Sequence, residues 1–235
     1  MKYSLGIVIL ARNEEEGLDE IYQHTKSLIV QRNIEHEFTI INDGSDDRTL
    51  EVAETISRND TFVKVINHHL PLGVGFGYKE ALRHTDKDYF MGLPGYDVFS
   101  DADINAALDT MGQTDITLFH ITNATRPLGR RVMSHIFTIL MNIITGLRHK
   151  YYNGMILCRT SSLKKINIRS NRYTYHAEAI SKLQLQHNCN STSIGFTLKE
   201  RKGESSAIKI ITFASVLKYF TLLIYDLFIA PSNKS

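Results

Sequence analysis

Residues 5–16 read Leu5-Gly-Ile-Val-Ile-Leu-Ala11-Arg12-Asn13-Glu14-Glu15-Glu16. Seven apolar or small residues followed at once by charge form the pattern of a strand buried on both faces that runs into a polar turn and then a helix. The pattern recurs downstream. Segments 37–41, 62–66, 89–93 and 116–121 also read as strands, and segments 14–30, 47–57, 76–84 and 101–111 carry helical spacing between them. This alternation predicts an α/β protein with a mostly parallel sheet and helices on both faces. In such sheets ligands bind beyond the carboxyl ends of the strands. The segments to inspect are therefore 12–16, 42–48, 67–77, 94–103 and the residues after Thr122.

Composition fits that reading. The chain has 235 residues, 43% hydrophobic and 22% charged, proportions that exclude disorder, collagen and coiled coil. Lys and Arg total 27 against 25 Asp and Glu, a net charge of +2, so no overall field points to a nucleic-acid partner. Cys158 and Cys189 share no metal or redox spacing and suit a reducing compartment, so the expected location is cytosolic. Lys2 ahead of the apolar run resembles the start of a signal peptide, but Arg12 to Glu16 follow with no small-residue cleavage site. The best charge-free stretch, 132–147, is shorter than the roughly 20 residues a membrane span needs and carries Ser134, His135, Thr138, Asn142 and Thr145.

The second part changes character. A basic and apolar stretch from Arg126 to Lys150 precedes a mixed region to Arg201, and a helical run follows over 208–229. The expected organisation is residues 1–122 as one half of a domain, 123–207 as the other half, and 208–235 as a C-terminal amphipathic or apolar helix. Cations bracket the apolar helix predicted over 130–147, a layout that suits a helix lying on a membrane surface. The final helix, with Phe213, Val216, Leu217, Phe220, Leu223, Ile224, Leu227 and Phe228 broken by charge only at Lys218 and Asp226, is a second candidate. Both read equally as core or as an interface between copies of the chain.

Two turns carry chemical interest. Asn42-Asp43-Gly44-Ser45-Asp46-Asp47 follows a strand and precedes a helix, with Ser45 or Asp46 near the helix N-cap. It reads as a capped turn or as a ligand loop. Gly73-Val-Gly-Phe-Gly77 has the look of a phosphate loop, but it follows the third strand and lacks the dinucleotide spacing. A methyltransferase or dehydrogenase would use that loop, yet the first strand ends in Arg12-Asn13-Glu14-Glu15 where such proteins place glycines.

The order of these pieces is more specific than any one of them. Ala11-Arg-Asn-Glu-Glu15, then Asn42-Asp-Gly-Ser45 with Asp47 and Thr49, then Leu72 to Ala81, resembles the nucleotide-sugar-binding half of family 2 glycosyltransferases of the GT-A fold, over residues 4 to about 100. The resemblance implies that Ala11, Arg12, Glu14 and Asp43 line a nucleoside pocket, with Lys79 near a phosphate. A strand-end carboxylate suits base N–H groups, and cations or helix termini suit phosphate. The family places an Asp-x-Asp metal motif after the fourth strand. Here the chain reads Leu93-Pro94-Gly95-Tyr96-Asp97, with Pro94 and Tyr96 at the carboxylate positions. Asp97 becomes the expected ligand for Mg2+ or Mn2+, with Asp101 and Asp103 in reserve; Mg2+ needs only one or two protein carboxylates. The same acids also read as caps for the next helix.

The second half resembles the polyprenyl-phosphate, dolichol-phosphate mannosyltransferase-like branch through Arg126, Arg130 and Arg131, Tyr151-Tyr-Asn-Gly154, Glu178, and Glu200 to Ser206. That branch lays an Arg-x-x-Gly-x-Ser segment over the phosphates. Gly203 and Ser205 match it, while Glu200 stands at its Arg position and Arg201 lies one residue nearer the glycine. The resemblance thus implies Arg130, Arg131, Lys202 and Ser205 at acceptor phosphate and Asp97, Glu178 and Arg201 in catalysis. Glu178 reads equally as a helix residue paired with Lys182 at i+4. The expected activity is inverting transfer from a nucleotide-diphosphate sugar to a polyprenyl phosphate by an enzyme peripheral to the cytoplasmic face of a membrane. A transferase acting on a soluble saccharide hydroxyl, and a non-catalytic nucleotide-sugar-binding scaffold, remain alternatives.

Overall fold

A computed structural model describes residues 2–123, 127–198 and 213–229. Seven strands form one sheet: β1 (Leu5–Ala11), β2 (His36–Asp43), β3 (Val63–His68), β4 (Tyr89–Pro94), β5 (Ile116–Ile121), β6 (Ile156–Arg159) and β7 (Ser191–Phe196), in the order β3-β2-β1-β4-β6-β5-β7. Every pairing is parallel except those of β6, which runs antiparallel to β4 and to β5. The predicted α/β class holds, and the sheet continues across residue 122. The first five strands lie where the alternation placed them; β6 and β7 come from the mixed region, where short runs gave no clear period.

The pleat sends alternate residues to opposite faces. Leu5, Ile7, Ile9 and Ala11 of β1 join Tyr89, Met91 and Leu93 of β4 in one core. It is covered by α1 (Leu18–Gln31), α2 (Thr49–Asn59) and α4 (Asp101–Asp109). Val8 and Phe90 point the other way, into a core formed with α3 (Val74–His84), α5 (Leu128–Thr145), the short α6 (Thr160–Leu163) and α7 (Tyr175–His187). Fully burying each Ile, Leu or Phe contributes about 1.5–3 kcal/mol, so the two-sided core is what holds β1 and β4 at the centre of the sheet.

Helix ends depart from the sequence reading for identifiable reasons. Helix α1 starts at Leu18 rather than residue 14, because Asn13 is left-handed (φ 54°) and the Glu14 N–H is turned away to Thr49 Oγ1, at the start of α2, at 2.8 Å. Helix α5 closes at Gly146, whose φ of 71° suits glycine. The C-terminal helix is described as α8 (Phe213–Ile224) followed by a π-helical turn, Tyr225–Ile229. Among the described residues no helix is long and apolar enough to cross a membrane.

Candidate donor-binding edge

The carboxyl ends of β1, β2, β3 and β4 lie side by side, and the turns that leave them hold one another. Asn13 N–H donates to Ser45 Oγ at 3.0 Å, and Asp46 N–H donates back to Asn13 Oδ1 at 2.9 Å. Arg48 N–H donates to Glu15 Oε2 at 2.9 Å, while Glu15 N–H donates to Asp47 Oδ2 at 3.2 Å. Beneath them Asn42 Nδ2 donates to Asn67 Oδ1 on the next strand at 2.8 Å. The two sequence motifs are therefore brought together as expected, and many of their polar groups build the edge itself. Arg12 stays exposed at its lip beside buried Ala11, with Glu14 half-buried next to it.

Asp43, expected to line the nucleoside pocket, ends β2 with its carboxylate closely surrounded. Its Oδ1 accepts from Leu72 N–H at 2.8 Å and its Oδ2 from Gly73 N–H at 2.9 Å. His68 Nδ1 lies 3.0 Å from the same carboxylate and His68 Nε2 lies 2.7 Å from Glu80. Burial alone lowers the His68 pKa, but its hydrogen bonds to Asp43 and Glu80 outweigh that and hold it above the ordinary histidine value. In this structure the Asp43 carboxylate ties the loop after β3 to the end of β2. Gly44 permits this closeness, since its φ is 64° and a Cβ there would lie 2.6 Å from Pro71 N.

The glycine-rich stretch is not a phosphate cradle either. Gly75 N–H donates to Asn171 O at 3.0 Å, and a Cβ at Gly73 would stand 2.3 Å from that oxygen. The glycines let the 169–172 loop rest on the N-terminus of α3. Lys79 faces that same loop, donating to Asn171 Oδ1 at 2.7 Å, and burial holds its pKa below that of an ordinary lysine.

Glu178 stands in the first turn of α7 and is 4% exposed. It accepts from Arg169 N–H and Ser170 N–H, each at 2.9 Å, and from Lys182 Nζ at 2.6 Å. Lys182 also donates to Asp226 at 2.7 Å, and Arg169 lies 3.1 Å from Asp226. The Glu178 carboxylate, expected in catalysis, is here engaged in a buried network that fastens the C-terminal turn to the 169–172 loop. The i+4 pairing with Lys182 is present. The sequence signal for the rest of the network was Asp226, a lone acid in an apolar helix.

The expected metal position is also different. Pro94 ends β4, and Tyr96 packs against the apolar core under α1. Asp97 Oδ1 lies 3.1 Å from His24 Nδ1, and Asp101 Oδ1 lies 2.8 Å from His24 Nε2. Asp103 forms a capping box with Ser100. Asp97, expected as metal ligand and catalytic group, and Asp101 are drawn to α1 in this structure, and Asp103 to the start of α4. Among the described residues no group of three or more His, Cys, Asp or Glu side chains is placed to hold a metal ion. Asp97 and Asp101, held at opposite nitrogens of the His24 ring, do not converge on one point as the ligands of a divalent cation would. Neither His24 nor His68 was singled out from the sequence, since a lone histidine in a helix or at a strand end carries no spacing signal.

Arg130 and Arg131 lie in the first turn of α5, Arg131 exposed and Arg130 half-buried. Arg126, Arg201, Lys202, Gly203 and Ser205 lie outside the described residues.

Comparison with known proteins gives this edge a context. The profile described as Glycosyl transferase family 2 matches residues 6–170. A curated relative, the uncharacterized glycosyltransferase YkcC of Bacillus subtilis, is 32% identical over 82 residues, which cover 32% of this chain and 25% of that protein. The aligned stretch thus spans only a quarter of its length. Among solved structures, S. aureus TarS 1-349 in complex with UDP-GlcNAc has a TM-score of 0.68 at 17% identity, covering 96% of this chain and 68% of that one. Glucosyl-3-phosphoglycerate synthase from Mycobacterium tuberculosis with UDP also scores 0.68, at 10% identity, with 96% and 80% covered. The same synthase, solved with Mn2+, UDP and glucosyl-3-phosphoglycerate, scores 0.64 at 12% identity, with 96% and 77% covered. At such identities the likeness is one of fold, and that fold is GT-A-like.

Proposed function

The chain belongs to glycosyl transferase family 2, and from that premise we propose that it moves a sugar from a nucleotide-diphosphate donor to a polyprenyl phosphate at the cytoplasmic face of a membrane. The observation that carries the acceptor side is an apolar face without acids. Val132, Met133, Ile136, Ile139, Leu140 and Ile143 of α5 are all exposed, with Ile143 at 72%. Phe137 packs on Phe220 at 5.6 Å and on Tyr219 at 6.3 Å, so α8 continues the same surface with Leu222, Tyr225 and Phe228 outward. Asp226, the acid of that turn, is turned inward to Lys182. No Asp or Glu occurs from residue 116 to 177, a stretch with ten Lys and Arg residues. An apolar stripe bordered by cations suits the boundary of an anionic bilayer.

Chemistry points the same way. A hydroxyl acceptor requires a general base, and both acids considered for that task are engaged, Glu178 with three donors and Asp97 with His24. A phosphate monoester already carries its second charge at neutral pH, because that pKa is about 6, and attacks without a base. In this reading the phosphate oxygen attacks the anomeric carbon in line. The new C–O bond forms as the bond to the diphosphate breaks, the configuration inverts, and the nucleoside diphosphate leaves. Arg12 at the lip is the exposed cation nearest the strand ends in sequence, and Arg130 and Arg131 serve the acceptor phosphate.

The test is incubation with radiolabelled nucleotide sugars and polyprenyl phosphate in anionic vesicles, with and without Mn2+, followed by organic extraction. Label in the lipid phase from one donor, together with flotation of the protein on the vesicles, is the expected result. Transfer to a soluble hydroxyl with no flotation would replace the lipid acceptor. A concentration-dependent dimer that buries α5 would reassign the apolar face to a second copy.

A further inference from the structure

In the resemblance the sugar diphosphate meets a divalent cation held by acids just after the fourth strand. In this chain every acid of that segment has another partner. The two motif positions carry Pro94 and Tyr96, neither able to ligate as a carboxylate does, and Tyr96 packs toward the core. Asp97, with only 7% of its side chain accessible, lies 3.1 Å from His24 Nδ1, while Asp101 lies 2.8 Å from the Nε2 of the same ring. Asp103 Oδ2 accepts from the Ser100 N–H at 2.8 Å and from its hydroxyl at 2.7 Å. His24 projects from the middle of α1, so it draws both carboxylates toward the helix that covers the sheet.

We infer that His24 closes the segment after β4 against divalent cations, and that this chain binds the nucleoside diphosphate moiety of its donor independently of metal. The inference rests on the donor reading given above. A ring with a carboxylate on each nitrogen holds them at opposite ends of the imidazole, the reverse of the convergence a cation requires. Charge on the leaving diphosphate then has to be met by side-chain cations, for which arginine's planar fork is suited.

Two binding measurements test this without relying on turnover. In the first, a panel of nucleoside diphosphates (UDP, GDP, ADP and dTDP) is titrated calorimetrically into the full chain with Mn2+ or with EDTA, for the native protein, Asp97→Asn and His24→Ala. Native affinity for the preferred nucleotide is expected to agree within about twofold between the two conditions, and Asp97→Asn to behave alike. A rise of about tenfold with Mn2+, equivalent to about 1.4 kcal/mol, that disappears in Asp97→Asn would overturn the inference. His24→Ala releases both carboxylates and is expected to acquire a Mn2+ dependence; its absence would overturn the assignment of closure to His24. In the second measurement, free Mn2+ is followed by electron paramagnetic resonance as the protein is added without nucleotide. No nucleotide binding under any condition would defeat the donor reading, whereas Mn2+ uptake lost in Asp97→Asn would defeat the metal inference by itself. Circular dichroism of each variant separates these results from misfolding.

Discussion

Two places in the molecule solve the same local problem with the same parts. After β3, His68 stands between Asp43 and Glu80; after β4, His24 stands between Asp97 and Asp101. The surroundings differ. His68 is 6% accessible at its side chain and Asp43 also receives two backbone N–H groups, whereas Asp101 is 76% accessible and holds no such bonds in the site described. The first bridge is a structural joint, whereas the second is sheltered at Asp97 and open to solvent at Asp101, and its importance lies in where it turns the carboxylates. Equal geometry thus does not mean equal energy, because desolvation raises the stakes of every buried polar contact.

A third bridge marks the buried limit. Lys182, 3% exposed, stands between Glu178 and Asp226 and also donates to Asn167 O at 2.7 Å. Removing one member of such a network leaves uncompensated charge in a low-dielectric site, at a cost of about 3–5 kcal/mol. Lys182→Ala is therefore the most damaging of the changes considered, lowering the denaturant midpoint most and detaching the C-terminal turn, which faster proteolysis near Tyr225 would register. A single Lys182→Ala with native stability would show that the bridge is not closed in solution.

Asp43→Ala comes next. It strips the acceptor from Leu72 N–H, Gly73 N–H and His68 together, for an expected loss of about 3 kcal/mol. Hydrogen exchange should quicken at those two amides before it does so in β1. If Asp43 instead faced an open pocket, stability would hardly move and only nucleotide affinity would fall.

The contrast also explains what the sequence disclosed. Strands β1 to β5 were legible because each is a short apolar run of fixed period closed by charge, and the two-sided core demands that pattern. The pieces of the donor edge were legible as types and as order. Their roles were not, because Asp43 and Glu178 are defined by partners 29 and 9 residues away in the chain. The bridging histidines were invisible for the same reason: the 73-residue separation between His24 and Asp97 has no local signature. Gly73 and Gly75 show the limit of motif reading, since glycine spacing admits either a phosphate or a neighbouring loop, and here Asn171 O occupies the approach.

A smaller effect at the first bridge is its dependence on pH. His68 has its folded pKa raised above the usual histidine value. The stability it contributes is therefore fully present below the unfolded pKa of about 6.5 and is lost as pH rises through the folded value. Unfolding free energy measured across that window is expected to decline for the native chain and to flatten in His68→Gln. An unchanged slope in the variant would remove His68 from the account.

The smallest expected change is Asp101→Asn. Asp101 is largely in water, so the charge it offers His24 is screened and the side chain gives up rotamer freedom to hold it there; exposed pairs of this kind contribute about 0–1 kcal/mol. Salt should weaken what remains, as it does for any surface pair. The loss of stability should thus shrink toward nothing between low and high ionic strength, while Asp97, on the sheltered side of the ring, keeps its contact with Nδ1. That asymmetry gives the comparison its sharpest test. If Asp101→Asn proves as costly as Asp43→Ala at all salt concentrations, the segment after β4 is as firmly built as the joint after β3, and accessibility would not be what distinguishes the two bridges.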